Sequence, residues 1–406
     1  MPTLALDPPA PASDPVRPLG SAATRAVPWS WSMTTLLAWR NLAHDRVRLV
    51  VTLVGIVFSV VLMGMQSGLL VGFTRTTTGL VDNARADLWM VPKGTLDVDL
   101  GGPLDERRRY QALAIEGIAK AEPYLINFAR WKKPDGGTES IQLVGHQLGD
   151  DLAGPWNLEE GSVEDLRRPD GVIVDRLYAK KLGVTAIGDT AEINGRRARV
   201  VGFTRGIRTF TQSPYVFTSL PNARAFVGAP STQAGYVLLA LAPGAGAATV
   251  EAAIESRIPD VEVYQSAAFA KSSSDYWLFT TGAGFSLIIS ALLGLVVGIV
   301  IVAQTLYAST IDRLPEYATL KAMGAPNSYL YRIIITQAGI GAVIGYVIGL
   351  AIVIALVFAS REASAAPVLP LSLALGLGGL TLVMCVGAAI LSIRKVMAID
   401  PVGVFR

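Results

Sequence analysis

The sequence predicts an α-helical membrane protein with four transmembrane helices and an α+β domain inserted between the first and the second. Three observations predict it: a low content of charge, four uncharged apolar stretches, and a long segment of mixed charge between the first two. Of 406 residues, 51% are hydrophobic and 17% charged, with a mean hydropathy of +0.44. A soluble domain carries roughly 25% charged residues. The net charge of +3 is too small to point to nucleic acid. One cysteine, Cys385, and two histidines exclude an intrachain disulfide and a zinc cluster.

Taken in order, residues 1–28 are rich in Pro and Ala and read as a disordered tail. In 29–48, Leu36, Trp39, Leu42 and Ala43 recur at helical spacing, which predicts an amphipathic helix lying along the inner leaflet. Crossing ~30 Å of hydrocarbon takes about 20 apolar residues in a helix. Spans are predicted at 49–74, 276–310, 333–359 and 371–393. The second is longer than one crossing needs, so it reads as one helix protruding as a stalk. Tyr276 and Trp277 suit one interface and Tyr307 the other. A short loop at 360–370 carries Pro367 and Pro370 at the entrance of the fourth span.

Orientation follows from the short flanking segments. Arg40, Arg46 and Arg48 precede span one. Arg313, Lys321 and Arg332 lie in 311–332, and Arg394, Lys395 and Arg406 lie in 394–406. The 360–370 loop has only Arg361, beside Glu362. Both termini and the 311–332 elbow are therefore expected in the cytoplasm, and 75–275 outside. No charge lies within a span, which argues against an ion pathway. Small residues recur every four positions: Gly64, Gly68 and Gly72, then Gly294 and Gly298, then Gly341, Gly345 and Gly349. Such ridges let backbones approach closely in lipid, either within one subunit or at a dimer seam.

Within 75–275, a strand is expected at 86–91. A helix is expected at 110–121, stopped by Pro123. Hairpins are expected around Asp135-Gly136-Gly137 and Asn194-Gly195. A strand and helix ending at Gly183, and a β-α-β unit over 236–264, complete an α+β domain in two lobes. Catalytic constellations are missing. His146 reads as structural, and Asp150-Asp151 and Glu159-Glu160 read as solvated loop carboxylates. A membrane-anchored enzyme therefore has little support, and no catalytic, cofactor or metal residue is named.

The elbow carries the most specific motif. Asp312 suits an N-cap, Glu316 the first turn and Lys321 the last, with Gly324 and Pro326 as the stop. A short helix results, with Tyr317, Leu320 and Met323 as apolar contacts. This LPEYATLKAMGA stretch, 314–325, closely resembles the signature of the MacB/LolC/FtsX-like ABC permease superfamily, nearest its DevC branch. The resemblance extends to Tyr276-Trp277, to GIVIVAQTL at 298–306 and to the closing DPVGVFR, and covers roughly Met33 to the end. The sequence is compatible with a start at Met1 or Met33. Pro315-Glu316-Tyr317-Ala318 stands where other branches have Arg-Glu-Ile-Gly.

The resemblance implies a MacB-type periplasmic domain and an inner-membrane location. It implies a separate ABC ATPase, using ATP and magnesium, that docks on Leu314, Pro315, Glu316, Tyr317, Leu320, Lys321, Met323 and Gly324. It further implies a second permease copy in a homodimer, contact with membrane lipids, a HlyD-like fusion protein and an outer-membrane channel. Mechanotransmission would then export a lipid or other amphiphile. The alternative is an FtsX-like signalling permease that regulates a periplasmic cell-wall hydrolase without transport. This chain has no Gly-x-x-x-x-Gly-Lys-Ser/Thr loop, in keeping with an ATPase on another subunit.

Overall fold

A computed structural model describes residues 46–397, apart from 150–151, 212, 313–314, 317–318, 320–325 and 362–365. The expected 1–28 tail and nearly all of the 29–48 helix lie outside the described residues, as do 398–406. The described chain begins as one long helix, α1 (Arg46–Thr77). At 1.5 Å per residue its 32 residues rise about 48 Å. That exceeds the ~30 Å hydrocarbon layer, so α1 extends into the domain it feeds.

A helical turn, α2 (Gly79–Asp82), leads into β1 (Leu88–Pro92), β2 (Leu104–Asp105) and α3 (Arg107–Leu113). Next come β3 (Ile118–Lys132), β4 (Thr138–His146), β5 (Leu158–Gly161), β6 (Gly171–Asp175) and α4 (Ala179–Leu182). They are followed by β7 (Thr190–Ile193), β8 (Arg196–Thr204), β9 (Tyr215–Ser219) and α5 (Leu220–Val227). The domain closes with β10 (Gln233–Ala234), β11 (Tyr236–Leu241), α6 (Ala247–Arg257), β12 (Val261–Gln265) and α7 (Ser266–Asp275).

The main sheet runs β12-β1-β11-β3-β4-β9-β6-β8-β5, with β7 bridging β3 and β8. Its spine is β3. Residues up to Tyr124 pair with β11, and those from Leu125 onward pair with β4. Two lobes thus share one strand. Alternation along β1 separates two cores: Leu88 and Met90 pack toward Val250 and Ile254 of α6, and Trp89 and Val91 pack toward Tyr124, Tyr236 and Phe269. The second lobe has its own core around Trp131, Ile141, Val174 and Phe226.

Two expectations within the inserted domain are corrected. The helix expected at 110–121 stops at Leu113, because Gly117 takes φ +95° and starts a turn. A side chain at Gly117 would also press on Val250 and Ala245, 3.0 and 3.1 Å away. From Ile118 the chain is strand, and Pro123 lies inside it, paired with Val237. Proline fits because β4 joins the other side of β3 only from Leu125, which leaves that edge open. The β-α-β unit, for its part, is split: β1 lies between β11 and β12, antiparallel to both. Both expected hairpins form, with Asn194 and Gly195 at φ +48° and +82°.

Three more long helices follow: α8 (Ala283–Asp312), α9 (Asn327–Ala359) and α10 (Leu371–Met397). With α1 they are the four described helices long and apolar enough to cross a membrane. The expected single helix from 276 is broken. A π-helical turn at Tyr276–Thr280 is capped by Thr281, Gly282 follows at φ +77°, and α8 starts afresh at Ala283. The bundle buries Ile56, Met63, Val302, Ala338, Met384 and Cys385. Val54, Phe58, Val347, Ile354, Leu375 and Val383 point outward. Two cross-helix hydrogen bonds, Ser392 Oγ to the Ala303 carbonyl and Tyr346 Oη to the Ala374 carbonyl, are each 2.7 Å.

Candidate functional site at the junction of domain and bundle

The eight glycines of the predicted ridges all meet neighbours in the same chain. Gly341 and Gly345 face Ile56 of α1, and Gly349 faces Val60. Gly294 and Gly298 face Leu62 and Ser59, and Gly64 faces Val353 and Leu377. Gly68 and Gly72 abut the 366–368 backbone. At Gly345 a Cβ would come within 2.5 Å of the Ile56 side chain, so the α9 backbone packs directly on that side chain.

At the elbow, Pro315, Glu316 and Thr319 are helical and exposed, and Thr319 Oγ1 bonds the Pro315 carbonyl at 2.9 Å. Leu314, Tyr317, Leu320, Lys321, Met323 and Gly324 lie outside the described residues. Just above the elbow, Arg48 on α1 pairs with Asp312 at the end of α8. A crevice there is lined by Arg48, Thr52, Thr305, Ser309 and Gln337.

The opposite end is a built joint. The loop after β8 is anchored by Asp175 at the end of β6, a buried carboxylate that accepts from Thr204 Oγ1 and from the N–H groups of Gly206 and Ile207, at 2.9, 3.2 and 2.8 Å. Held so, the loop inserts Phe210 between the two helical stems. Its ring centroid lies 5.2 Å from Phe73 near the end of α1 and 4.1 Å from Trp277 ahead of α8. Arg208 donates to the Arg361 carbonyl at the end of α9. This loop therefore faces the membrane helices, and its Ile207, Thr209 and Ser213 are buried.

A second loop, 93–103, closes the joint. The Val98 N–H donates to Ser273 Oγ on α7 at 3.0 Å, Ser272 Oγ to the Leu96 carbonyl at 2.9 Å, and Tyr236 Oη to the Val98 carbonyl at 2.8 Å. Asp97 Oδ1 accepts the N–H groups of Asp99 and Leu100. Gln142 bridges both loops, donating to Asp99 Oδ1 at 2.9 Å while its own Oε1 accepts from Thr211. Burial pushes Asp99 up to about 7, helped by the neighbouring Asp97 charge and opposed by Gln142 and Trp277. Burial also raises Asp97, against the N–H groups of Asp99 and Leu100.

Sequence reasoning singled out Trp277 as an interfacial anchor and missed Phe73, Phe210, Asp97 and Asp99. The Asp-Val-Asp repeat before Gly101-Gly102 was a usable signal for the last two. The remaining polar candidates have structural surroundings. His146 is buried, its Nδ1 is 3.2 Å from the Gln147 carbonyl, and burial lowers the ring to about 4. Glu159 and Glu160 pair with Arg205 and Arg176, while Asp150 and Asp151 lie outside the described residues. Among the described residues no group of His, Cys, Asp and Glu could hold a metal ion.

Comparison with known proteins bears on both parts of this architecture. A family model for the MacB-like periplasmic core domain matches residues 49–257, and one for the FtsX-like permease C-terminal region matches 288–401. An uncharacterised ABC transporter permease of Mycobacterium tuberculosis is 25% identical over 91% of this chain and 98% of its own length. A Mycobacterium bovis relative of the same description is 24% identical, over 90% and 97%. Among solved structures, the periplasmic region of MacB from Actinobacillus actinomycetemcomitans matches at TM-score 0.36 and 12% identity, covering 47% of this chain and 94% of that one. The extracellular domain of the noncanonic ABC-type transporter YknZ from Gram-positive bacteria matches at 0.33 and 12%, covering 44% and 99%.

Proposed function

The chain belongs to the MacB/FtsX-like family of ABC transporter permeases, and from that premise we propose that it is the motion-transmitting subunit of an exporter for a lipid or other amphiphile. Membership of an ABC permease family implies an ABC ATPase as partner. In the proposed arrangement both termini and the elbow lie in the cytoplasm of the inner membrane, and the inserted domain lies in the periplasm. The ATPase docks around Glu316, the working unit is a homodimer, and the domain hands cargo to a HlyD-like fusion protein and an outer-membrane channel.

The observation that carries this reading is the aromatic clasp Phe73–Phe210–Trp277. Helix α1 runs from Arg48 to Phe73 of that clasp, and α8 runs from Asp312 back to Ala283, six residues after Trp277, so a shift imposed at the elbow reaches the domain at the other end. Helices are stiff along their axes, and packed side chains move as a unit. The domain then acts as a lever and needs no reactive group of its own.

The test is reconstitution of the chain with its ATPase in lipid vesicles. Hydrolysis should require both proteins. Glu316→Lys should lower the coupled turnover, and normal coupled turnover in that variant would remove the elbow from the docking surface. In cells, amphiphile accumulation on deletion supports export. Cell-wall or division defects without accumulation would instead favour the FtsX-like role toward a hydrolase. Cysteine labelling that placed 75–275 on the same side as Glu316 would overturn the orientation.

A further inference from the structure

Asp97 and Asp99 are 1% and 4% exposed, in a loop that touches both α7 and the stem of α8. Asp97 is satisfied by backbone donors, but the Oδ2 of Asp99 is buried without a hydrogen bond. Trp277 mirrors it from the helix side. Its Nε1 is also buried without a hydrogen bond, yet it lies close enough to favour the ionised form of both carboxyls. A donor and an acceptor thus face each other across the seam between domain and bundle.

We propose that Asp99 is a proton-controlled latch on this seam: protonated, it lets the 93–103 loop stay packed on α7 and Trp277, and ionised, it favours an opened, hydrated seam. A carboxylate without a nearby cation is costly to bury, whereas the neutral acid is not. Among the described residues the groups that act on Asp99 are Asp97 on its own loop, Gln142 on β4 and Trp277, and Asp99 acts in turn on Tyr215 of β9 and Tyr236 of β11; none of them is a cation. Of the charges on the adjoining elements, Lys271 and Asp275 on α7 pair with each other, and Arg208 donates to the Arg361 carbonyl.

The direction with pH follows. In an opened seam Asp99 meets water and titrates near its ordinary 3.8, whereas in the packed seam it titrates near about 7. Below the first value both forms hold the proton and pH has no leverage. Between the two, the packed form holds one proton more, so each pH unit upward moves the balance about tenfold toward the open form. Above the second value the dependence ends. A seam of this kind is tightest in an acidified compartment and loosest at neutral pH.

Hydrogen–deuterium exchange of the full chain in nanodiscs, from mildly acidic to mildly alkaline pH and corrected for intrinsic exchange, tests this. Protection of peptides covering 93–103 and 270–281 should fall as pH rises toward neutrality. Asp99→Asn, which mimics the protonated acid, should be flat and highly protected. Gln142→Leu removes a donor to the carboxylate and should carry the upper end of the fall to higher pH. Flat protection in the wild type, or an equal slope in Asp99→Asn, overturns the proposal. If Asp99→Asn does not fold, an unmoved upper end of the fall in Gln142→Leu overturns it instead. No ATPase or cargo enters the measurement, so its failure leaves the export reading intact.

Discussion

The bundle and the inserted domain reach close packing by opposite means. In the domain, bulk fills the interior: Trp89 has no exposed surface and meets Tyr124, Tyr236 and Phe269 at 5.8, 5.7 and 5.4 Å between ring centroids. In the bundle, the tightest contacts are made by residues with no side chain, such as Gly345 on Ile56 and Gly349 on Val60. The difference teaches what the surroundings reward. Water drives large apolar surfaces together, whereas lipid is as apolar as leucine and leaves close backbone contact to hold helices. The joint at Phe210 lies where the two regimes meet, and it uses both aromatic bulk and buried hydrogen bonds.

The contrast can be broken most forcefully in the domain. Trp89→Ala should cost about 3–5 kcal/mol, read as the chemical-denaturation midpoint of the detergent-solubilised chain. Trp89→Phe should cost far less, because it also removes an indole N–H that closes no hydrogen bond. If both substitutions are tolerated alike, bulk is not what holds the domain. In the bundle the opposite change does the harm: Gly345→Leu should cost about 1–3 kcal/mol through overpacking against Ile56, visible as lower thermal stability in nanodiscs. A stabilised Gly345→Leu would mean that α1 and α9 are free to part.

At the joint, Phe210→Ala should cost about 2 kcal/mol from lost burial and ring contact. Its larger effect should be on coupled transport, with ATP hydrolysis retained. Equal loss of both would make Phe210 a folding residue only. The smallest effect is expected at the elbow. Arg48→Ala should change stability by about 0–1 kcal/mol, because Asp312 is 60% exposed and the pair is screened by water. Its stability should be nearly the same in high salt as in low, in contrast to the unaltered chain.

Much of the architecture could be read before any coordinates. Four uncharged stretches matched to a membrane's thickness announce four long helices, and Asn194-Gly195 announces its hairpin. Tyr110 to Ala121 misled because its apolar spacing fits a helix, while the local override, a left-handed Gly117, carries no periodicity. The break at Gly282 was hidden for the same reason inside an apolar run. The joint was harder still: Phe73, Phe210 and Trp277 are far apart in the chain, and only one of them drew notice.

Composition and charge placement by themselves determined that this is a four-span membrane protein with a soluble domain after the first span, because those features depend on transfer between water and lipid, residue by residue. Only the tertiary structure decided that β3 serves two lobes, that the glycine ridges are occupied within the chain, and that Asp99 is buried beside Trp277. Those depend on which surfaces meet, and pairing between segments distant along the chain leaves no mark in the local order of residues.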